Sequence, residues 1–448
     1  MGAVYTFWRV TPRVPSAPGR AAANCNTVTV PVPLLAHALP KSVGAVPLTL
    51  ILTGLLAAFL AVNAVGTRRA AGRIGGGAHT TGTIDGLSIP WASLPLSKAS
   101  LASTGNVIGL VLLVLTVVLS AFGPTDPATN LTDIAVLTLG WGFVALTSLL
   151  AGGWWPVIDP VAASSRTLRT LAGDTPAETP LPQRASTVTM VVLMVLWAHL
   201  QLMTNLTPLA FTVIVVVYVA GHVLATARFG PAWLTRTESV TVMSRTLGLL
   251  RPGDGGPTAR LTAVDDTDPL RWTSAILIGW SLVDLVLETD WWHDLAISQS
   301  ARETLGPVVL VGVIVVLYGA IRGSSGRGHL GPAFVAFAGG WVVSHYLSIL
   351  LIEGQGIPIW LSDPFGTGAD YLGQRGDLVN LEPLPVAVIT VLQIVPFLAG
   401  HVLGVVVAQR RAADVVRTEG QLGAVTLFAR AVIAVLLLGG AWMQLGGL

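Results

Sequence analysis

Seven ionisable side chains lie within, or at the end of, long apolar stretches of this sequence. Charged groups are costly inside apolar helices and usually face the interior of a helical bundle, so each one is a candidate functional group. Imidazole and carboxylate groups together relay protons or hold a cation. The residue types therefore predict a buried polar site. The set comprises His199, His222, Asp284, Glu288, His345, Glu353 and His401, with Gln201 and Gln393 as neutral companions.

The four histidines of this set divide into two levels. At a rise of about 1.5 Å per residue, His199 and His345 form an outer pair near one end of their helices. His222 and His401 form an inner pair about 13 Å deeper. Metal–nitrogen bonds are only about 2 Å long, so unbroken helices cannot bring all four rings to one ion. Either pair is a candidate site for a divalent transition metal, and two levels favour a relay or a translocation path over a single catalytic centre.

The two acids of the set share one face of a helix. Asp284 and Glu288 are four residues apart, which brings their side chains together. Two close carboxylates raise each other's proton affinity or hold a cation between them. Alternatively, Glu288 lies at the outer membrane interface, where water solvates it.

Transmembrane helices must position all these groups. The 448 residues are 52% hydrophobic and only 11% charged, with a mean hydropathy of +0.72, whereas soluble domains carry about 25% charged residues. The expected partner is the lipid bilayer, and the net charge of +2 gives no indication of nucleic acid. A bilayer core needs about 20 apolar residues per helix, and ten such runs predict an all-α integral membrane bundle. They are Val46–Gly66, Thr104–Phe122, Leu131–Gly152, Ser186–Met203, Pro208–Ala227, Trp272–Leu287, Leu305–Ile321, Gly331–Ile352, Leu384–Ala408 and Ala431–Leu445.

The distribution of positive charge predicts the orientation, since Lys and Arg collect on the cytoplasmic side. With the N-terminus outside, the inner segments hold 19 of the 25 Lys and Arg residues. We therefore predict a multi-pass plasma-membrane protein with both termini on the outer side. Residues 1–45 are interpreted as an N-terminal segment, either a remnant signal or sequence ahead of the true start. Residues 46–448 are predicted to form one transmembrane domain.

An internal repeat is suggested by the pentapeptide Ala-Gly-His-Val-Leu, which occurs at 220–224 and again at 399–403. Both copies lie in helices that run inward, and the preceding helix in each case carries a histidine. The pattern suggests two parallel four-helix repeats, 104–227 and 272–408, flanked by one helix at each end. The alternative role for both pentapeptide histidines is a hydrogen bond to a nearby backbone carbonyl that fixes helix packing, with Gly221 and Gly400 allowing close approach.

Two inner loops are predicted to be partly helical and to lie along the membrane surface. Asp159 followed by Pro160 is typical of a helix start, because the acid caps free amides and proline fits the first turn. Thr235 and Glu238 fit a capping box ahead of a second helix. That helix has a single apolar stripe. The stripe consists of Val240, Met243, Leu247 and Leu250.

Several motifs carry a family resemblance. They are His-Tyr-Leu-Ser at 345–348, Glu-Gly-Gln at 353–355, Ser-Asp-Pro-Phe-Gly at 362–366 and Gly-His-Val at 400–402, with Ala-His-Ala at 36–38 and Arg-Phe-Gly at 228–230 before Trp233. In these motifs the chain resembles the bacterial membrane proteins of the fenitrothion hydrolase-like family. The resemblance covers residues 331–448 well and the earlier spans loosely.

This resemblance implies a set of site residues and an activity. The residues are His345, Tyr346, Ser348, Glu353, Gly354, Gln355 and His401. The family name implies cleavage of an organophosphorus triester. Phosphotriester hydrolysis commonly uses water activated by metal ions, yet the sequence contains no His-x-His, His-Glu-x-x-His or nucleophile-elbow motif. His199 departs from the family pattern, which implies an acidic residue near that position.

Three functions remain open. The first is the handling or translocation of a cation, either a proton or a transition metal, by the buried histidines and acids. The second is hydrolysis of apolar esters at the outer face, with His345, Ser348 and Glu353 as candidate residues. The third is a scaffold whose polar groups only set helix packing.

Overall fold

The computed structural model is mostly helical and contains no strand in the part of the chain that it describes, which comprises residues 98–126, 129–131, 134–172, 182–202, 206–253, 255–287, 292, 294–325, 329–377, 379–380 and 383–419. The predicted first and tenth spans, the N-terminal segment and Glu288 lie outside the described residues. The helices are α1 (Lys98–Phe122), a π-helix (Ile134–Phe143), α2 (Val144–Ala151), a 3₁₀ turn (Trp155–Val157), α3 (Pro160–Ala172), α4 (Gln183–Leu202), α5 (Pro208–Phe229), α6 (Ala232–Thr237), α7 (Ser239–Leu247), a 3₁₀ turn (Gly248–Leu250), α8 (Gly256–Ala263), α9 (Asp268–Leu287), α10 (Gln299–Ser325), α11 (Gly331–Glu353), α12 (Gly356–Ser362) and α13 (Val386–Glu419).

Within the described ranges, six helices are long and apolar enough to cross a membrane, or seven if one bent pair counts as a span. These six correspond to the second, fourth, fifth, seventh, eighth and ninth predicted spans. They are Ser103–Phe122, Gln183–Leu202, Pro208–Phe229, Thr304–Gly323, Gly331–Ser362 and Val391–Arg411. The all-α fold is therefore confirmed for the described residues, and its apolar helices are compatible with a multi-pass membrane protein. The total of ten spans and the repeat arrangement stay predictions.

The outer surface of the bundle is apolar. On α5, Leu209, Val217 and Leu224 are each more than 60% exposed. A contiguous apolar surface of this kind is rare on soluble monomers. It is the surface expected where hydrocarbon replaces water, so the helices are suited to a lipid environment.

The third predicted span, Leu131–Gly152, ends at a sharp bend. The segments Gly140–Ala151 and Trp155–Leu171 meet at an angle of 111°. Gly152 at the break has φ of +84°, a conformation that favours glycine. A Cβ on Gly248 would lie 2.4 Å from the amide nitrogen of Gly153, so the backbone at the break packs directly on the end of the α7 segment. The break therefore coincides with the predicted end of the span, and the segment beyond it contains the predicted loop helix that begins at Pro160.

The sixth predicted span, Trp272–Leu287, forms the later part of α9 at the centre of the described bundle. Four consecutive residues, 275–278, are completely buried. A helix that is apolar on all sides belongs inside a bundle, and α9 packs against α4, α10 and α11. Its neighbour α11 is likewise buried along most of its length.

The two predicted loop helices have different outcomes. The helix start at Asp159 is confirmed, since its Oδ1 accepts a hydrogen bond of 2.8 Å from the amide of Val161. The predicted capping box is wrong: Thr235 lies within α6, and Glu238 is itself the N-cap of α7. The predicted surface position of α7 is also wrong. Met243 and Leu247 are completely buried, so the apolar stripe packs inside the bundle.

Candidate functional site

A carboxylate–imidazole pair lies where α9 packs on α11. The Oδ2 atom of Asp284 is 2.7 Å from Nε2 of His345, and the two side chains are only 12% and 5% exposed. The ring of Trp280 stands edge-on to the imidazole, with 5.2 Å between ring centroids. Trp280 and Asp284 are four residues apart on α9 and therefore share the face that meets α11. The structure thus brings together two predicted site residues that lie 61 positions apart in the chain.

Sequence reasoning paired Asp284 with Glu288 and missed its contact with His345. The pairing of Asp284 with Glu288 remains an untested prediction, because Glu288 lies outside the described residues. The signal in the sequence was that both groups are ionisable and lie in apolar helices. Their depths differ: Asp284 is three residues from the end of α9, or about 5 Å along its axis, and His345 is eight residues from the end of α11, or about 12 Å.

A second polar contact continues from the first. The hydroxyl of Tyr346, which is almost completely buried, donates to Oε1 of Gln201 over 2.7 Å and so joins α11 to α4. Trp280 stacks on the Tyr346 ring at 5.1 Å. A Cβ on Gly142 would lie 2.4 Å from that ring, so glycine gives the tyrosine its space. The two polar contacts on α4, α9 and α11 therefore both adjoin the ring of Trp280, and together they are called the polar layer.

The candidate hydrolase residues make structural contacts in this arrangement. The hydroxyl of Ser348 donates to the backbone carbonyl of His345 over 3.2 Å. The same hydroxyl accepts from the amide of Gln393 over 3.0 Å, which joins α11 to α13. A serine nucleophile needs its base within hydrogen-bond reach of the hydroxyl. The recorded bonds direct Ser348 to the backbone and to Gln393, while the His345 ring faces Asp284.

The Glu-Gly-Gln motif lies at the C-terminal end of α11. Glu353 is the last residue of that helix and is partly buried. The amide nitrogen of Gln355 donates to the carbonyls of Leu351 and Asn380, and its oxygen accepts from the amide of Asn380. Gln355 therefore fastens the long loop that follows α12 to the end of α11.

The acids of that loop are engaged within it. Asp363 accepts hydrogen bonds of 2.8 Å from the amides of Thr367 and Gly368, and Asp370 accepts from the amide of Arg375. Desolvation acts to raise the pKa of Asp363, but these amide bonds and the charge of Arg375 lower it overall. The loop acids thus stabilise their own turn.

The inner histidines have two different environments. His401 is completely buried, and its Nδ1 lies 2.7 Å from the carbonyl of Phe397, which is the packing role that sequence reasoning kept as an alternative. His222 instead accepts a 3.0 Å hydrogen bond at Nδ1 from the indole of Trp233. The proposed close approach at Gly221 is wrong, since a Cβ there would meet nothing within 4 Å. The two copies of the pentapeptide therefore do not share one structural role.

Within the described residues, the four predicted histidines do not form a metal centre. Across the described ranges, no three His, Cys, Asp or Glu side chains are grouped closely enough to hold an ion. The ring of His199, in the last turn of α4, is partly buried. Among the candidates, the arrangement brings His345 to Asp284 and leaves His222 and His401 in separate aromatic surroundings.

Comparisons with known proteins identify no relative. No family model, no curated protein and no solved structure matches the chain.

Proposed function

We propose that this multi-pass membrane protein transfers protons within the bilayer through the contact between Asp284 and His345. The single observation that carries the proposal is the 2.7 Å distance between their Oδ2 and Nε2 atoms in the core of the bundle. Ionisable groups at such depth are expensive, and they commonly mark an ion pathway or a proton relay.

The chemistry of the two groups suits proton transfer. Imidazole is the side chain whose ordinary pKa places its charge change near neutral pH. A carboxylate at hydrogen-bond distance accepts or returns the same proton without a large movement of either helix. Tyr346 and Gln201 extend the polar layer towards α4, which supplies further hydrogen-bonding groups beside the pair.

A proton is favoured over a metal ion by the number of available ligands. Structural and catalytic zinc sites use three or four protein ligands. The described residues place only two candidate ligands, Asp284 and His345, at this contact. His401 and His222 are engaged by the Phe397 carbonyl and the Trp233 indole. A divalent transition metal remains an alternative cargo, and metal analysis of the purified protein tests it directly.

The location and the orientation belong to the same proposal. We place the protein in the plasma membrane with both termini outside, because 19 of its 25 Lys and Arg residues then lie on the inner side. In this orientation the contact between Asp284 and His345 is nearer the outer surface. The resemblance to fenitrothion hydrolase-like proteins implies ester cleavage instead. The hydrogen bonds of Ser348 to the His345 carbonyl and to Gln393 give no support to ester cleavage.

Proton flux into vesicles tests the proposal. Purified protein is reconstituted in liposomes that contain a pH-sensitive dye, and a potassium gradient with valinomycin drives proton entry. Flux above that of protein-free vesicles is expected for the natural protein, with a loss of at least about tenfold in Asp284→Asn and in His345→Ala. Ser281→Ala is a matched control, because this buried serine on the same helix bonds only to the carbonyl of Leu277.

Two results would reject a proton-transfer role. One is a natural protein whose flux equals that of empty vesicles. The other is undiminished flux in both Asp284→Asn and His345→Ala. In either case the pair would be a packing contact, which is the scaffold interpretation.

A further inference from the structure

A large cavity adjoins the polar layer at Gln201. Its volume is about 370 Å³, and its walls come from α1, the π-helix, the beginning of α3, α4, α5 and the beginning of α7. Most of the lining is aliphatic or aromatic. The aromatic lining includes Trp154, Trp155, Trp197 and Tyr218. A cavity of this size and character is suited to a small organic ligand.

Two buried carboxylates line one end of the cavity. Asp159 and Glu238 are each 1% exposed. Thr241 connects them, since its hydroxyl donates to Asp159 over 3.2 Å and its amide donates to Glu238 over 2.5 Å. Two acids held by one residue in a low-dielectric interior do not both carry charge without a shared proton or a cation.

The groups that donate to these acids are electrically neutral. Asp159 receives the amide of Val161, and Glu238 receives the hydroxyl of Tyr218 and the amide of Val240. These bonds orient the carboxylates, and in the described part of the chain none of the hydrogen bonds to them comes from a charged group. The guanidinium of Arg166 interacts electrostatically with Asp159, but its hydrogen bonds go to Asn106 and to the carbonyl of Pro156.

The aromatic walls of the cavity add a second means of binding a cation. The faces of tryptophan and tyrosine rings attract cations, and they do so most strongly when water is excluded. Aliphatic residues around them, such as Val215, favour an apolar body. Phe143 lines the cavity and is 45% exposed, so the cavity reaches the apolar outer surface of the bundle.

We infer that this cavity binds a lipophilic organic cation, whose charged group lies between Asp159 and Glu238 and whose apolar body packs on the aromatic wall. The ligand enters from the hydrocarbon side, next to Phe143. Gln201 lines the cavity and also accepts the hydroxyl of Tyr346, so the ligand site adjoins the polar layer. Binding here does not depend on proton transfer at Asp284 and His345.

Calorimetric titration of the full chain in a neutral detergent tests this inference. The probes are tetraphenylphosphonium and, in a separate titration, tetraphenylborate, which has a similar shape and the opposite charge. Saturable binding is expected for the phosphonium ion and not for the borate ion. Equal binding of the two ions, or no binding of the phosphonium ion, overturns the inference.

Variants then locate the site. The double variant Asp159→Asn, Glu238→Gln keeps both side-chain shapes and is expected to weaken phosphonium binding at least about tenfold. Asp268→Asn is the matched control, because that acid bonds to Arg271 and Tyr318 outside the cavity. Val219→Phe fills the cavity, leaves both acids in place and is expected to abolish binding. Unchanged binding in the double variant, or in Val219→Phe, overturns the assignment.

Discussion

Gly400 on α13 lies directly against Gly340 on α11. A Cβ at position 400 would approach the Cα of Gly340 to 2.7 Å and the carbonyl oxygen of Ala336 to 2.6 Å. Helices in membranes gain stability from such close backbone contact at small residues. The helix pair that carries His345 and His401 is therefore held at a distance that only glycine permits.

Gly400→Ala is expected to destabilise the protein. The added methyl group meets backbone atoms that cannot move aside, and overpacking of this kind costs about 1–3 kcal/mol. Gly221→Ala is the matched control from the other copy of the pentapeptide, because its Cβ would meet open space. That change should be neutral or slightly stabilising, since alanine favours a helix by up to about 1 kcal/mol over glycine. Thermal unfolding in detergent measures both, and equal losses would contradict the contact.

The long helices were predictable from the sequence because a bilayer requires about 20 consecutive apolar residues. The end of the third span was also predictable, because Gly152, Gly153 and Pro156 form a typical breaker pattern. The 111° angle at which the next segment leaves was not predictable, since it depends on backbone angles such as the positive φ of Gly152.

The sequence identified the residues of the site but not which of them are in contact. Residue type and apolar context singled out Asp284 and His345. Their contact depends on how α9 and α11 are rotated about their axes, which a single sequence does not specify. The cavity acids were recognised only in part, since Asp159 and Glu238 were assigned to helix starts without the aromatic walls between them.

Breaking the pair of Asp284 and His345 should cost more than removing it. Asp284→Leu alone removes the carboxylate beside a buried imidazole, and the loss of a partner for a buried polar group costs about 1–3 kcal/mol. The double variant Asp284→Leu, His345→Leu replaces both groups by apolar side chains and should be more stable than the less stable of the single variants. Thermal unfolding of the four proteins gives the coupling energy. Additive losses would show that the contact contributes nothing.

Gln355→Ala should release the loop that follows α12. This side chain makes one hydrogen bond to Leu351 of α11 and two to Asn380, and their loss leaves the loop more open to proteolysis. Trypsin cleavage after Arg375 should therefore become at least several-fold faster. Tyr371→Phe is a control, because that side chain is 68% exposed and only its backbone amide bonds to Ser362. Similar cleavage rates in the two variants would argue against the role of Gln355.

The same cleavage site tests the orientation. If both termini lie outside, Arg375 is in an outer loop and trypsin added to sealed right-side-out vesicles should cut there. In inside-out vesicles the same bond should survive while inner arginines such as Arg236, which is exposed and is followed by threonine, are accessible to the protease. Fragments are separated by mass spectrometry after each treatment. Cleavage after Arg375 only in inside-out vesicles would reverse the predicted orientation.

His401→Ala should show that the two levels of histidines have different roles. His401 is enclosed by the rings of Phe337 and Phe397, at centroid distances of 5.0 and 4.3 Å, and its Nδ1 bonds within its own helix. Removing the ring leaves a cavity, and large-to-small changes in a core cost on the order of 2–5 kcal/mol. We therefore expect a lower unfolding temperature with proton flux unchanged per folded molecule, whereas His345→Ala should lose the flux. If His401→Ala abolishes flux while its unfolding temperature remains that of the natural protein, the inner level takes part in a relay and the assignment of His401 to packing is wrong.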